Sequence, residues 1–427
     1  MNDPRNPGPR GQGDAAPAPG PEGEDGPQGR AADLPARGDR APARTLPPAP
    51  TRPSPAADAP PPSSERGLPS LLRRSLKSAF VAWVRQRTPG RSLRPQDEAT
   101  HPWDGSRSHA EDYTFVAVQP DLAAVIRLEW LPDRDTHRLW IILLGEDAVH
   151  ATPGTGQILL RSASARDEGP WSVGGLVLDC VEPFRQWTIT YHGTLAERSV
   201  DGEPRLAGEP GARTPVIREC RVDLTFVADV APFVPGADDD PELLARRLGA
   251  ADWDAELLRG LRRRRTHGYV QVGAIHGTIA LGDRILAISA AGLRHHTWGQ
   301  RDWGASDRAL QCFVARGPGQ RLWIHRAHFP GLTLEGGFVA EAGARAAIRE
   351  LGVTLERRPA GAPGRVGLDL ASAAGEVAID AAAVSQISLE MDGRGRLDLA
   401  FLRVAGDPRG VGLWVGQERL LPRPSGR

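Results

Sequence analysis

A succession of short strand-like runs is the feature that most limits what this chain can fold into. From about residue 100 onward, apolar side chains alternate with polar ones or form short runs, and Pro, Asp and Gly separate them. Alternation with a period of two is typical of strands that bury one face. The clearest runs lie at 113–118, 124–130, 138–144, 187–191, 221–227, 269–272, 276–281, 284–289, 310–314, 321–325, 366–370, 376–379, 387–391 and 396–403. Many short strands with polar turns predict an all-β fold of antiparallel barrels or sandwiches.

The periodicity changes once within this region, between residues 235 and 266. The stretches 241–248 and 253–261 have helical spacing, and four arginines follow at 262–265. No dinucleotide-binding, phosphate-loop or nucleophile-elbow motif sits between a strand and a helix. We therefore predict a first β domain at 100–234, a short helical linker at 235–266, a second β domain at 267–420 and a tail at 421–427.

The N-terminal segment differs from the rest of the chain in composition. Its first 66 residues hold 17 of the 39 prolines and almost no large apolar side chains. Such a segment cannot bury enough surface to offset the entropy that ordering costs. We predict a disordered tail at 1–66.

A basic amphipathic helix and a linker are predicted next, at 67–99. Apolar residues recur at helical spacing between residues 68 and 87, namely Leu72, Leu76, Ala79, Phe80 and Trp83. Four arginines and Lys77, the sole lysine of the chain, give this helix a positive charge. Two interpretations stay open: the apolar face packs on the folded body, or the helix lies in a membrane interface with Trp83 at headgroup depth.

Charge and cysteine content narrow the class of protein. Lys+Arg and Asp+Glu are 53 each, which argues against nucleic acid as a partner. Three cysteines without a CxxC pair argue against a disulfide scaffold or a cysteine zinc site. No secretory signal or spanning segment is visible. We expect a cytoplasmic protein, with the helix at 68–87 as the part that would contact the inner face of the membrane.

Reactive and aromatic residues are concentrated in the segment 292–304. Strand alternation would place His296, Trp298, Gln300 and Asp302 on one face and His295, Thr297, Arg301 and Trp303 on the other. The first face offers a histidine, a carboxylate and an indole, which are sufficient for proton transfer to an apolar substrate.

Two other interpretations of the same segment exist. An indole can close a barrel end while an arginine stacks on it, and Arg301 with Asp302 would then be a structural ion pair. Metal binding is the second, but the adjacent His295 and His296 would point to opposite faces of a strand, and the other histidines are scattered. We therefore predict no metal.

Two blocks of the chain resemble a known family. Residues 292–303 read Gly-Leu-Arg-His-His-Thr-Trp-Gly-Gln-Arg-Asp-Trp, and residues 187–193 follow the pattern Trp-x-x-x-Tyr-x-Gly. Both are similar to blocks of the lipocalin-like superfamily that includes hydroxyneurosporene synthase, a carotenoid hydratase, and bacterial relatives. That family usually has Gly-x-Arg-Asp-His-Ser-Trp-Gly-x-Arg-Asp-Trp in the first block, so His295 stands in place of its first aspartate and Thr297 in place of its serine.

The resemblance implies two lipocalin-type antiparallel barrels with a pocket for a long apolar molecule in or between them. It also implies cofactor-free hydration, cyclisation or isomerisation of an isoprenoid, polyene or steroid-like substrate. His296 and Asp302 would handle protons, and His295 would be the acid that replaces the family's aspartate. The ligand would contact Arg294, Trp298, Arg301, Trp303, Trp187 and Tyr191. The alternative is a non-catalytic lipid- or isoprenoid-binding protein on the same fold.

Overall fold

The computed structural model describes most of the chain after residue 70. The described residues are 70–86, 93–161, 171–207, 214–251, 253, 266–301, 306–317, 319–329, 331–356, 358 and 361–420. The predicted tails at 1–66 and 421–427, most of the predicted helix at 253–261, and two predicted site residues, Asp302 and Trp303, lie outside them.

The predicted all-β fold is confirmed, and the first group of strands forms one large antiparallel sheet. Its members are β1 (His109–Gln119), β2 (Leu122–Leu131), β3 (Thr136–Gly145), β4 (Val149–Ala151), β5 (Ile158–Arg161), β6 (Trp171–Val173), β7 (Leu176–Glu182), β8 (Gln186–Arg198), β11 (Ile217–Ala228), β12 (Thr266–Leu281) and β13 (Arg284–Gln300); β9 (Leu206–Ala207) and β10 (Thr214–Pro215) form a separate pair. The order β11-β12-β13-β1-β2-β3-β4-β8 closes into a ring because β8 also pairs with β11. We call this ring the first barrel.

The predicted boundary at residue 267 assigns β12 and β13 to the second β domain, whereas in the structure both strands pair within the first barrel. Strands β12 and β13 pair with β11 and β1, so they complete the first barrel instead of opening the second. The physical reason is that β1 without β13, and β11 without β12, would leave backbone donors and acceptors of a barrel strand unpaired. The first barrel is thus built from two separate stretches of chain.

The second barrel is closed and follows chain order. Its eight strands are β14 (Arg308–Arg316), β15 (Gln320–Phe329), β16 (Leu332–Glu341), β17 (Ala344–Glu356), β18 (Arg365–Ser372), β19 (Gly375–Met391), β20 (Gly395–Val404) and β21 (Val411–Arg419). Each strand pairs antiparallel with its neighbour, and β21 returns to β14.

Three apolar cores follow from the alternation of side chains along these strands. In β1, Phe115 and Ala117 point into the first barrel, while Val116 and Val118 point out toward the second. The outward residues join the outer face of the second barrel, which supplies Phe313, Phe338 and Phe401 to one contact layer between the barrels. A third core fills the second barrel. Nearly every residue of the central strands is therefore buried.

Helix α2 (Pro241–Ala250) packs on strands β16 and β17 of the second barrel, and helix α1 (Ser70–Gln86) packs on α2. Asp240 caps α2 by accepting hydrogen bonds from the backbone amides of Glu242 and Leu243. Helix α1 packs on α2 through the buried Val84, and Lys77 Nζ donates to the carbonyl of Ala251 at 2.7 Å. This agrees with the interpretation in which the helix packs on the folded body.

Part of the predicted apolar face of α1 is exposed, although Phe80 also contacts the ring of Trp253, with 5.4 Å between centroids. Trp83 is 62% exposed and Phe80 38% exposed, whereas Lys77, Val81 and Val84 face α2. The side chains of Leu72 and Leu76 lie outside the described part. Among the described residues, no helix is long and apolar enough to cross a membrane.

Candidate active site at the end of the first barrel

The candidate site lies where β1 and β12 begin and β13 ends. In the pairing of β1 with β13, Glu111 is opposite Trp298, Tyr113 opposite His296 and Phe115 opposite Arg294. Opposite residues share a face, so these side chains all point toward the barrel interior. The alternation expected within 292–304 is thus present, with His295 and Thr297 on the other face of the sheet.

A carboxylate shared by two histidines is the centre of the site. Glu111 Oε1 lies 2.9 Å from Nε2 of His296 and 2.9 Å from Nδ1 of His101. The backbone amide of His101 donates to Glu111 Oε2 at 2.9 Å. Glu111 and His296 are fully buried, whereas the side chain of His101 is 17% exposed. We call these three residues the His–Glu–His cluster.

Aromatic rings surround the cluster. The His296 ring stacks on Tyr113 at 4.0 Å between centroids, and the His101 ring stacks on Trp298 at 3.8 Å. Tyr269 meets His296 edge-on at 5.6 Å. These contacts fix the planes of both imidazoles, and they leave an apolar environment around the carboxylate.

Burial and hydrogen bonding together set the charge states. Burial raises the pKa of Glu111, but hydrogen bonds from His101 and His296 outweigh it and leave that pKa below its ordinary value. Burial lowers the pKa of His296, and Glu111 only partly offsets this. Near neutral pH the pair is therefore an ionised carboxylate and a neutral histidine whose Nε2 carries the proton.

The tautomer of His296 leaves the lone pair of Nδ1 able to accept a proton. Because Nε2–H donates to Glu111, Nδ1 of the neutral ring is an acceptor. Nδ1 is buried and has no hydrogen-bond partner among the described residues. A carboxylate that fixes one ring nitrogen while the other stays basic is the arrangement that general-base histidines use.

A buried arginine occupies the same barrel end. Arg294 Nη2 donates to both carboxylate oxygens of Glu98, at 2.8 and 2.7 Å, and bonds the hydroxyl of Tyr269. Its guanidinium lies 5.0 Å from the ring centroid of Trp187 and 5.1 Å from that of Tyr269. Arginine stacked on an indole at a barrel end is the closure arrangement that the sequence analysis left open, here made by Arg294 and Trp187.

A second charged network lies on the opposite face of the sheet. Arg301 bonds Asp112 and, at 2.5 Å, Glu129; Arg138 bonds Glu129 at 3.0 Å and Asp392 of the second barrel at 2.5 Å. Arg301, predicted to orient a ligand, thus holds two buried carboxylates. Burial lowers the pKa of His295 to about 4, so this ring is uncharged near neutral pH.

The other predicted site residues occupy separate places. Trp187 contacts Tyr113, with 5.3 Å between ring centroids, and therefore adjoins the cluster. Tyr191 lies further along β8, where its hydroxyl donates to the carbonyl of Thr194. Glu98, His101 and Glu111 were not predicted from the sequence. The available signal for Glu111 was its position two residues before the strand run at 113–118, in phase with Tyr113 and Phe115.

The His–Glu–His cluster is also a group that could hold a cation, found among the residues that the structure describes. Its candidate ligand atoms all lie within 4.8 Å of one another. A bound cation would take the two ring nitrogens that now face Glu111, so both would have to lose their protons.

Two clefts lie elsewhere, both on the second barrel. One of about 870 Å³ runs between α2 and strands β17 to β19, and another of about 260 Å³ opens at one end of the barrel. Neither cleft is lined by a residue of the His–Glu–His cluster.

Comparison with known proteins gives a family and several structural similarities. A family model described as "Domain of unknown function (DUF7064)" matches residues 94–415. An AttH-designated protein of Nitrosomonas europaea has 11% sequence identity and a TM-score of 0.46, covering 77% of this chain and 98% of its own. Kievitone hydratase of Nectria haematococca has 8% identity and a TM-score of 0.42, covering 73% and 89%. CghA, solved with Sch210972, has 12% identity and a TM-score of 0.42, covering 78% and 95%. No curated protein matches the sequence.

Proposed function

Since the chain belongs to the DUF7064 family, whose description names no activity, we propose its function from the barrel end itself: acid–base catalysis on an apolar substrate, with His296 as the base. The reaction class is hydration, isomerisation or cyclisation of an isoprenoid, polyene or steroid-like molecule. The observation that carries this proposal is the buried, carboxylate-anchored His296, whose Nδ1 has no partner among the described residues.

The geometry supports a base that takes up a proton and then gives it to a carbon of the substrate. In an isomerisation, Nδ1 would take a proton from one carbon and return it to another. In a hydration, Nδ1 would take a proton from water as its oxygen bonds one carbon of a polarised double bond, and give that proton to the other carbon. Glu111 would stabilise the imidazolium formed in between, because it already accepts the Nε2–H.

The aromatic surroundings support an apolar substrate. Tyr113, Tyr269, Trp187 and Trp298 are buried around the cluster and surround it with ring faces and edges. The predicted roles of Asp302 and Trp303 stay predictions.

The experiment is solvent extraction of the purified full-length protein, followed by mass spectrometry and absorbance of the co-purifying molecules. The wild type and the variants Glu111→Gln and His296→Gln are incubated with the extracted apolar fraction. We expect turnover by the wild type, seen as a gain of one water or as an isomer of equal mass, and none by either variant.

A matched control is His276→Gln, which changes an exposed histidine on β12 of the same barrel. It should turn over like the wild type. Retained turnover in His296→Gln would overturn the assignment of the base. A bound apolar molecule that no protein form converts would instead support the alternative, a non-catalytic lipid- or isoprenoid-binding protein.

A further inference from the structure

The smaller cleft on the second barrel has the features of a separate binding site. It has a volume of about 260 Å³ and lies where β14 and β20 begin and β17 and β21 end. Its apolar lining includes Leu310, Leu355, Pro363 and Trp414, and two of these, Leu310 and Trp414, belong to the core that fills the barrel. It shares no residue with the His–Glu–His cluster.

Trp414 forms a flat apolar wall of the cleft, and its indole N–H is a hydrogen-bond donor without a partner among the described residues. Its side chain is buried, with the residue 6% exposed, and its ring lies against Gly416, where an added Cβ would come within 1.9 Å of a ring carbon. A buried donor without a partner is unfavourable, so an acceptor brought by a ligand would be stabilised there.

Charged side chains at the cleft favour an anion. Three arginines and two acidic residues line it, so the lining carries one net positive charge: Arg308, Arg358, Arg396, Asp398 and Glu418. Arg396 is committed to Asp398 and Glu418, at 2.9 Å each. Arg358 pairs with the exposed Asp201 at 3.4 Å and Arg308 with Glu418 at 3.3 Å, and both are weak, partly exposed pairs that a ligand could replace at little cost.

We propose that this cleft binds a small aromatic carboxylic acid. The ring system would lie against Trp414 and Leu310, and the carboxylate would meet Arg358 and Arg308 at the rim. A cavity of roughly 150 Å³ accommodates benzene, so a cleft of about 260 Å³ suits one or two fused rings with a carboxylate.

The test is titration calorimetry of the full-length protein with 2-naphthoate, and with 2-naphthalenemethanol as the uncharged counterpart. We expect naphthoate to bind more tightly than the alcohol, and added salt to weaken naphthoate alone. Arg358→Gln should weaken naphthoate by about five- to tenfold and leave the alcohol unchanged. Trp414→Phe, which replaces the indole by a smaller ring, should weaken naphthoate and the alcohol alike, because both would lie against this side chain.

Arg185→Gln is the matched control, because Arg185 is an exposed arginine of the first barrel that pairs only weakly with Glu182. It should bind naphthoate like the wild type, as should Glu111→Gln. No naphthoate binding, or equal binding by Arg358→Gln and the wild type, would overturn the proposal. Loss of binding in Glu111→Gln would place the probe in the first barrel and would likewise overturn it. Since Glu111→Gln is inactive under the proposed function, naphthoate binding to it separates the two proposals.

Discussion

At the scale of single residues, Arg294 is a charged side chain whose burial in the first barrel requires a compensating charge. It is fully buried, and its charge is balanced by Glu98, which is itself 4% exposed. Glu98 also accepts the backbone amide of Phe184 at 2.7 Å, so the pair joins three distant parts of the chain. Removing one partner of such a pair leaves an uncompensated buried charge.

The variant Arg294→Met should therefore lose about 3 to 5 kcal/mol of unfolding free energy. The double variant Glu98→Gln with Arg294→Met removes both charges, and we expect it to be more stable than Arg294→Met alone. Urea unfolding followed by circular dichroism measures both. Additive losses in the double variant would show that the two side chains do not act as a pair.

At this scale the sequence predicted the site residues that share one strand. It did not predict their partners, because these lie far away along the chain. Alternation on one strand was enough to group His296 with Trp298 and to separate both from His295. It could not supply Glu111, which lies 185 residues from His296 and reaches it only because β1 pairs with β13. Arg294 lies 196 residues from Glu98, so its partner was equally hidden.

At the scale of elements, the hairpin of β12 and β13 shows what periodicity leaves undetermined. Its alternation predicted two strands correctly, yet the same pattern suits either barrel. Its partners β11 and β1 are selected by which apolar faces they complete. The helical pattern at 241–248 precedes the hairpin in sequence and suggested a domain boundary there. The large sheet nevertheless includes strands from both sides of this helix. Pairing partners were therefore the part of the fold that local pattern could not provide.

Helix α1 gives a prediction about membranes. Trp83 is mostly exposed and Phe80 is partly exposed beside the ring of Trp253, so both offer apolar surface to a lipid while Val84 holds the helix on α2. We expect the full-length protein to float with vesicles containing anionic lipid and the double variant Phe80→Ser with Trp83→Ser to float much less. The matched control replaces Leu159 and Ile285, which are exposed apolar residues of the first barrel, by serine. Equal flotation of all three proteins would remove the membrane interpretation.

At the scale of the whole molecule, buried histidines should make stability depend on pH. Burial lowers the pKa of His137 and of His295 to about 4, from an ordinary value of 6.5. Below pH 6.5 the unfolded chain binds protons that the native protein does not take up until about pH 4. Stability is therefore full above 6.5 and falls as the pH drops through this window, by about 2 kcal/mol for each ring at pH 5.

The variant His137→Leu separates this contribution from others. His137 is fully buried, and neither ring nitrogen has a partner among the described residues. We expect the variant to be more stable than the wild type at pH 7, and its loss between pH 7 and pH 5 to be smaller by about 2 kcal/mol. Thermal unfolding at the two pH values measures this. An unchanged pH dependence would mean that His137 has the same pKa in the native protein and in the unfolded chain.

The split construction of the first barrel has a consequence for synthesis of the chain. A ribosome releases β1 and β11 long before β12 and β13, and the intervening stretch includes α2, which packs on the second barrel. Until residue 300 has emerged, two strands of the nascent barrel have an open hydrogen-bonding edge, and such edges recruit other chains. A protein fragment that ends at residue 234 would keep these two strand edges open and should therefore aggregate. A fragment that ends just after residue 300 would contain every strand of the ring.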